Sequence, residues 1–223
     1  MVDIFINGPD GRLEARYLPP SNSALPVVTI LHPHPLKGGR MDNDVVQCMS
    51  KAFHEQGFGT LRFNFRGVGR SEGVFGDGEG ELNDAAAALD WLQSSQYLTN
   101  SLWVAGFSFG AWIAMQLLMR RPEFERFVIV NPQIDTFDFN FLAPCPVSGQ
   151  IIYGEQDKTV SQAAVENLVA KIRAQRGLNI CYDTISGANH SFDGLLDKLN
   201  KCIQEYVKRE LATMEKEREQ IAS

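Results

Sequence analysis

The 223-residue sequence is 44% hydrophobic and 22% charged, which is typical of a soluble globular protein that buries a core of its own. Its net charge of −6 argues against a nucleic-acid surface, and no apolar run approaches the roughly 18 residues of a membrane span. The cysteines lack the spacing of metal sites, and the first residues lack the basic start of a signal peptide. We therefore expect reduced thiols and a cytoplasmic protein.

Strands and helices alternate along most of the chain. Two short apolar segments around a turn at 8–11 predict an antiparallel N-terminal hairpin. The rest predicts a mostly parallel, eight-stranded sheet with helices on both faces, in a single α/β domain over 1–223. The predicted strands are 2–6, 13–18, 27–31, 60–65, 102–105, 127–130, 150–153 and 180–185, and the predicted helices are 44–53, 82–92, the segment that ends before Pro122, 163–172 and the 195–207 pattern.

The C-terminal segment, about 208–223, has mixed charges at helical spacing. Such a pattern favours a solvated extension of the last helix. The alternative interpretation is a homo-oligomer contact through this helix.

The strongest chemical signal lies at 104–111. An apolar run leads into the pattern Gly-x-Ser-x-Gly at 106–110, and helical periodicity follows. A strand, such a turn and a helix form a nucleophile elbow, which holds a serine on a strained bend above a sheet. The flanking glycines have a steric reason, because a side chain at either position would collide with a neighbouring strand or helix. Ser108 is therefore the candidate nucleophile, provided that the chain supplies its partners.

A serine hydroxyl needs a base that removes its proton. His190 follows the last predicted strand, in a loop expected at the same sheet edge as Ser108. Asp157 follows the 150–153 strand after a glycine turn, and the order serine, aspartate, histidine is the one that goes with this elbow. The rivals of Asp157 for the role of acid are Asp135, Asp138 and Glu155.

An oxyanion hole requires two aligned backbone N–H groups. The first is expected from Phe109, which follows the serine. The second should come from the loop after the 27–31 strand, where Pro33 and Pro35 have no N–H to offer. The remaining donors are His34 and Leu36, of which we favour His34.

Five segments together resemble the α/β-hydrolase superfamily: 32–35, 64–73, 106–110, 154–157 and 189–190. The sequence is most similar to small, lid-less, largely bacterial serine hydrolases whose substrates are mostly unassigned. The resemblance spans about 27–207 and implies the α/β-hydrolase fold without a cap domain. It also implies Ser108 as nucleophile, His190 as base and Asp157 as orienting acid. One departure concerns the oxyanion loop, since His32-Pro33 stands where many members have His-Gly.

Two other patterns suggest different functions, but each lacks a residue that the function would require. The glycine loop at 67–73 has Glu72 where a dinucleotide-binding motif needs its third glycine. His32 and His34 alternate as metal ligands often do, but no carboxylate follows at ligand spacing until Asp42. We therefore expect neither a cofactor nor a metal.

Bulky side chains surround the expected site. The connection before the 150–153 strand is too short for a cap domain, and its alternate phenylalanines either wall an acyl pocket or pack the loop onto the core. Arg66 is expected to bridge loop carbonyls, with substrate anchoring as the alternative. The candidates for the substrate pocket are Phe107, Phe137, Phe139, Phe141 and Arg66.

The sequence thus predicts a serine hydrolase, most specifically one that cleaves a carboxylic ester of a small molecule through an acyl-enzyme. A serine peptidase or amidase of the aminopeptidase kind shares this apparatus and is the first alternative. The second, from another class, is a catalytically silent binding protein on the hydrolase fold.

Overall fold

The computed structural model describes residues 2–94, 101–142 and 144–222, and these residues are organised around one eight-stranded sheet. The strand order is β1-β2-β4-β3-β5-β6-β7-β8, with β1, β2 and β4 paired antiparallel and the other pairs parallel. The predicted sheet and its N-terminal hairpin are confirmed. The strands are β1 (Val2–Gly8), β2 (Gly11–Leu18), β3 (Val27–Leu31), β4 (Gly59–Phe63), β5 (Leu102–Phe107), β6 (Phe124–Val130), β7 (Gly149–Gly154) and β8 (Ile180–Ile185).

Helices cover both faces of the sheet. Helices α2, α3 and α4 pack on one face, and α1 and α5 pack on the other, so that each face buries its own hydrophobic core. This two-sided burial explains the continuous apolar runs of the central strands. The helices are α1 (Asp44–His54), α2 (Glu79–Ser94), α3 (Phe109–Arg120), α4 (Gln162–Arg173) and α5 (Leu196–Ala222), and two short 3₁₀ turns cover Pro35–Lys37 and Asn140–Leu142.

The parallel strands end at one common edge of the sheet. At this edge β5 lies between β3 and β6, with Gly106 beside Leu31 on one side and beside Ile129 on the other. The loops that follow β3, β5, β6, β7 and β8 therefore meet here. The described parts of the β6–β7 connection, 131–142 and 144–148, contain one 3₁₀ turn and no cap domain.

Strand β4 ends at Phe63, two residues before the predicted end. The Asn64 N–H still donates to the Glu14 carbonyl of β2 at 2.8 Å, while its side chain accepts the Met41 N–H at 2.8 Å and donates to the Glu14 carboxylate at 2.8 Å. The Phe65 N–H donates to His32 Nε2 at 3.0 Å. At Phe65 a side-chain acceptor from the loop after β3 thus takes the place of a backbone partner, which the apolar pattern of 60–65 did not indicate.

The C-terminal helix differs from the predicted exposed extension. Glu210 is buried and pairs with Arg126 at 2.9 Å, and Met214 joins the core beneath α5. The prediction of a solvated segment from 208 is therefore wrong at these two positions, although Lys208, Ala212 and Lys216 are exposed. The oligomer contact stays a prediction. No helix of the described residues is long and apolar enough to cross a membrane.

Candidate active site

The serine of the elbow sits on a strained turn between β5 and α3. Ser108 has φ 58° and ψ −115°, a conformation that costs a non-glycine residue about 1–3 kcal/mol. Its N–H donates to the Val130 carbonyl at 3.0 Å, and its own carbonyl accepts from the Ala111 N–H at 3.1 Å. The turn is thus fastened to β6 on one side and to the first turn of α3 on the other.

The two flanking glycines allow close backbone approach, as the sequence predicted. A Cβ at Gly106 would lie 2.3 Å from the Gly110 carbonyl oxygen. A Cβ at Gly110 would lie 2.3 Å from the Leu31 carbonyl oxygen and 2.5 Å from that of His32. Both distances are far inside van der Waals contact with rigid backbone, so only glycine fits at either position.

The structure brings together the three residues predicted as a triad. Ser108 Oγ lies 3.1 Å from His190 Nε2, and His190 Nδ1 lies 2.6 Å from Asp157 Oδ2. The serine follows β5, the aspartate follows β7 and the histidine follows β8. Because the carboxylate faces Nδ1, that nitrogen carries the proton, and the lone pair of Nε2 faces the hydroxyl.

The Asp157 carboxylate is buried yet held in its ionised form. Burial by itself raises the pKa of Asp157. Hydrogen bonds from His190 and from both the hydroxyl and the N–H of Thr159 outweigh this effect, so the pKa of the carboxyl lies below its ordinary value. A negative carboxylate beside Nδ1–H stabilises the positive charge that His190 gains when it accepts a proton.

The rival acids are engaged elsewhere. Asp135 accepts from the N–H of Ser161, at the start of α4, at 2.6 Å. Glu155 accepts from Ser186 Oγ at 2.7 Å and from the Gly187 N–H at 2.9 Å. Asp138 accepts from the Asn140 N–H at 2.8 Å. Among the described residues, Asp157 alone of these four acids contacts His190.

The loop after β3 is folded around its two histidines. His32 is fully buried, with Nδ1 2.7 Å from the Pro33 carbonyl oxygen and Nε2 accepting the Phe65 N–H. Burial lowers the pKa of His32 from 6.5 to about 4, although the hydrogen bond to Pro33 acts against this shift. A neutral ring that joins the ends of β3 and β4 is a structural element of the loop.

His34 has a different part in the same loop. Its Nδ1 accepts the Leu36 N–H at 3.2 Å, and its carbonyl accepts from the N–H groups of Lys37 and Gly39 at 3.0 Å each. A Cβ at Gly39 would overlap the Pro33 carbonyl oxygen at 1.9 Å, so this turn requires glycine. Among the described residues, no group accepts the backbone N–H of His34.

Aromatic rings surround the start of α3. The His34 ring lies 4.9 Å from the Phe109 ring and 5.0 Å from the Phe75 ring. Phe137 stacks on Trp112 at 4.5 Å, and Trp112 Nε1 donates to the Asp138 carbonyl at 3.0 Å, which fixes the β6–β7 connection on α3. The half-buried rings of His34, Phe75, Phe137 and Trp112, together with buried Phe109, form what we call the aromatic wall.

The other pocket candidates lie deeper. Phe107 is buried beneath His190, with the two rings 5.1 Å apart. Phe139 is buried and stacks on half-buried Phe141 at 6.1 Å, which favours the packing interpretation for Phe139. Substrate contact by Phe107, Phe137 and Phe141 stays a prediction.

Arg66 is held by carboxylates. Its guanidinium binds Asp84 through Nη2 at 2.7 Å and through Nε at 3.1 Å, and Nη1 lies 3.6 Å from Asp10. Asp84 is fully buried on α2, so this ion pair ties the glycine loop to the helix. The expected bridge to loop carbonyls is replaced by a bridge to acids.

Two residues at the site were missed by the sequence analysis. Thr159 contacts both Asp157 and His190. Asn131, which follows β6 with φ 43°, is buried and donates from Nδ2 to the His190 carbonyl at 2.9 Å, while its Oδ1 accepts the Gly154 N–H at 2.8 Å. Asparagine tolerates positive φ, and its position directly after a buried strand was the available signal.

In the part of the chain that the structure describes, no group of three or more acids, histidines and cysteines is arranged to hold a metal ion. The absence of a cofactor stays a prediction. The arrangement of Ser108, His190 and Asp157 can by itself move a proton from a hydroxyl to an imidazole.

An eight-stranded, mostly parallel sheet with a serine elbow and a histidine and an acid on later strand ends defines the α/β serine hydrolases. The sequence profile of the family described as X-Pro dipeptidyl-peptidase (S15 family) matches residues 10–206, and the chain belongs to this family.

Similar proteins support the assignment of this chain to the α/β serine hydrolases. The chain is 46% identical over 211 residues to the uncharacterized protein RP471 of Rickettsia prowazekii, covering 93% of this chain and 89% of the other. The crystal structure of ATU1826 from Agrobacterium tumefaciens, a putative α/β hydrolase of unknown function, is 51% identical, covers 95% of this chain and 97% of that chain, and gives a TM-score of 0.91.

XC6422 from Xanthomonas campestris, an α/β serine hydrolase without a lid, is 30% identical, with a TM-score of 0.84 and coverage of 93% and 94%. The esterase Pf2001 of Pyrococcus furiosus is 19% identical, with a TM-score of 0.74 and coverage of 93% and 91%, and this likeness concerns the fold alone.

Proposed function

We propose that the protein is a serine esterase that hydrolyses carboxylic esters of small molecules through an acyl-enzyme. The observation that carries this proposal is the hydrogen-bonded chain from Ser108 Oγ to His190 Nε2 at 3.1 Å and from His190 Nδ1 to Asp157 at 2.6 Å. A serine becomes a nucleophile when a positioned base takes its proton, and a carboxylate behind that base stabilises the resulting charge.

In the proposed reaction Ser108 attacks the ester carbonyl while His190 accepts the hydroxyl proton. His190 then protonates the leaving alkoxide, and the carbon–oxygen bond to the alcohol breaks. Water, deprotonated by the same histidine, attacks the acyl-enzyme and releases the acid and free Ser108. The strained backbone at Ser108 holds the hydroxyl in place throughout these steps.

The oxyanion is assigned to the N–H groups of Phe109 and His34. Phe109 opens α3, so its N–H lies among the first, unpaired donors of the helix, at the positive end of the helix dipole. Of the two candidates in the β3 loop, Leu36 already donates its N–H to His34 Nδ1, which leaves the His34 N–H for the substrate. Each such donor contributes about 3–4 kcal/mol to transition-state stabilisation.

Peptide cleavage is the second candidate, since the matched family is described as a peptidase family. A peptidase that removes N-terminal dipeptides needs an anion for the free amino group of its substrate. The acids on the loops after β6 and β7 already accept hydrogen bonds from neighbouring residues, which favours an uncharged acyl group over an amine.

The aromatic wall and its rim suggest where the acyl group lies. Leu36 and Val74 are large apolar side chains that remain 72% and 74% exposed, on the loops that carry His34 and Phe75. Apolar surface exposed on loops that contribute to the aromatic wall is typical of a site that receives an apolar substrate group. We therefore assign Phe137 and Phe141 to the acyl side, which is one of the two roles that the sequence left open for them.

One experiment tests the class and the substrate together. Purified protein is treated with a fluorophosphonate probe and then assayed on p-nitrophenyl esters and on aminoacyl-prolyl p-nitroanilides, with Ser108→Ala as control. We expect labelling that is lost in Ser108→Ala, ester turnover that survives EDTA, and little anilide turnover. Preferred anilide turnover would transfer the assignment to the peptidase. Absence of both labelling and turnover would favour the silent binding protein.

A further inference from the structure

We infer that Thr159 is a positioning residue that orients the Asp157 carboxylate and fixes the tautomer of His190. This inference rests on the proposed function, because it concerns the same triad. Thr159 is exposed, lies two residues after Asp157 and belongs to no regular element. Its side chain nevertheless contacts two members of the triad at once.

The contacts of Thr159 divide the Asp157 carboxylate between two partners. Oδ1 accepts from the Thr159 hydroxyl at 2.7 Å and from the Thr159 N–H at 2.7 Å, whereas Oδ2 faces His190 Nδ1 at 2.6 Å. The backbone contact is an Asx turn, which places the hydroxyl over the carboxylate. With Oδ1 occupied by two donors, the carboxylate cannot rotate without losing charge-assisted hydrogen bonds.

The proton count then determines the state of the histidine. A threonine hydroxyl has one proton and two lone pairs, and this proton is directed at Asp157. Thr159 Oγ1 lies 2.8 Å from His190 Nδ1 and is therefore an acceptor there. Gln133 Nε2 faces the same oxygen at 3.5 Å, also as a donor. Nδ1 thus meets only acceptors, which holds its proton on Nδ1 and leaves Nε2 free to act as the base.

The role of the Thr159 hydroxyl can be tested separately from the Asx turn that the Thr159 N–H closes. Valine has the shape of threonine and keeps the backbone N–H that closes the Asx turn, so Thr159→Val removes the hydroxyl alone. Thr159→Ser keeps the hydroxyl. Thr136→Val makes the same change at another exposed threonine, in the β6–β7 connection, and is the matched control.

The test measures kcat and KM on p-nitrophenyl acetate, the rate of fluorophosphonate labelling and the Tm of each variant. A hydrogen bond to a charged group supports a loss of about tenfold in kcat and labelling rate for Thr159→Val, with KM within about twofold. Thr159→Ser should restore most of both rates, and Thr136→Val should resemble the wild type. If Thr159→Val lowers the Tm strongly, Thr159→Ala, which also lacks the hydroxyl, takes its place.

A double-mutant cycle with Asp157→Asn shows whether Thr159 acts through the carboxylate. In the Asp157→Asn background, Thr159→Val should change kcat by less than about twofold, because the group that it orients is gone. The inference would be overturned if Thr159→Val had wild-type rates, or if Thr159→Ser lost as much activity as Thr159→Val. It would also be overturned if Thr159→Val still lowered kcat tenfold in the Asp157→Asn background. Failure of the wild type to be labelled would overturn the proposed function instead, so the two failures are distinguishable.

Discussion

Replacing Gly110 by alanine should separate the two proposed oxyanion donors without touching either of them. The new Cβ would lie 2.3 Å from the Leu31 carbonyl oxygen, whereas ordinary contact begins near 3.4 Å. Since both partners are backbone, the start of α3 must retreat from the end of β3 by about 1 Å, a displacement that can cost about 100-fold in rate. Phe109 moves with the helix, and His34 stays with the β3 loop.

The same displacement lowers stability. Overpacking of this kind costs about 1–3 kcal/mol, and each kcal/mol lowers the Tm of a chain of this size by about 2–4 °C. Gly177→Ala is the matched control, because Gly177 has φ 82° and open space around it. There the substitution costs about 1–2 kcal/mol through backbone strain alone. We expect similar Tm losses from both variants and loss of activity from Gly110→Ala only.

The assay is kcat on p-nitrophenyl acetate at a temperature where circular dichroism shows both variants folded. Fluorophosphonate labelling reports on the reactivity of Ser108 in the same samples. A Gly110→Ala protein with wild-type kcat would refute the assignment of the oxyanion donors to α3 and the β3 loop. Equal losses of kcat in both variants would show that stability, and not donor geometry, had been measured.

Four further predictions follow from the site. Ser108→Ala should abolish ester turnover with little change in Tm, and retained turnover would remove Ser108 from the mechanism. Asp157→Asn should lower kcat about 10⁴-fold by misorienting His190, whereas Asp135→Asn should lower it far less, and the reverse result would transfer the acid role. His34→Ala should retain measurable activity, because its proposed donor is a backbone N–H; complete loss would indicate a side-chain role. The pKa of His32 is about 4 in the folded protein and 6.5 when unfolded. The unfolded chain therefore binds the extra proton between these values, and His32 should cost stability as the pH falls from 6.5 to 4, by about 3 kcal/mol in total. In urea titrations across this range His32→Gln should show a shallower loss, and an unchanged slope would contradict the buried neutral ring.

Much of the fold could be predicted because burial on both faces leaves a plain pattern in the sequence. Strand β3, whose five residues are all buried, begins and ends where its apolar run does, and β8 has the predicted bounds. The meeting of Ser108, Asp157 and His190 was also predictable, since parallel strands bring the loops at their carboxyl ends to one edge. The steric reason for Gly106 and Gly110 needed only the elbow pattern.

Side-chain hydrogen bonds were much less predictable, because the partners are far apart in sequence and meet only through loop geometry. Thr159 contacts His190 across 31 positions, and Asn131 contacts it across 59. Arg66 binds Asp84 on α2 instead of the expected carbonyls, again because the two residues meet only through the geometry of the loop. In α5 the sequence did indicate burial of Met214, because this residue continues the apolar spacing of Val207. The many charged residues around it led to the prediction of an exposed segment.

The placement of Asn131 has a consequence for how this site can change over time. Its buried amide joins the end of β6 to Gly154 at the end of β7 and to the backbone of His190, so the β6 end positions the histidine loop and supplies no member of the proposed triad. The connection that follows carries Phe137 and Phe141 and has its own contacts with the helices, since Phe137 stacks on Trp112 of α3 and Asn140 accepts from Lys171 of α4. Substitutions and small insertions in that connection can therefore reshape the acyl side while the reacting groups keep their spacing. Selectivity and chemical competence can thus diverge independently in this scaffold.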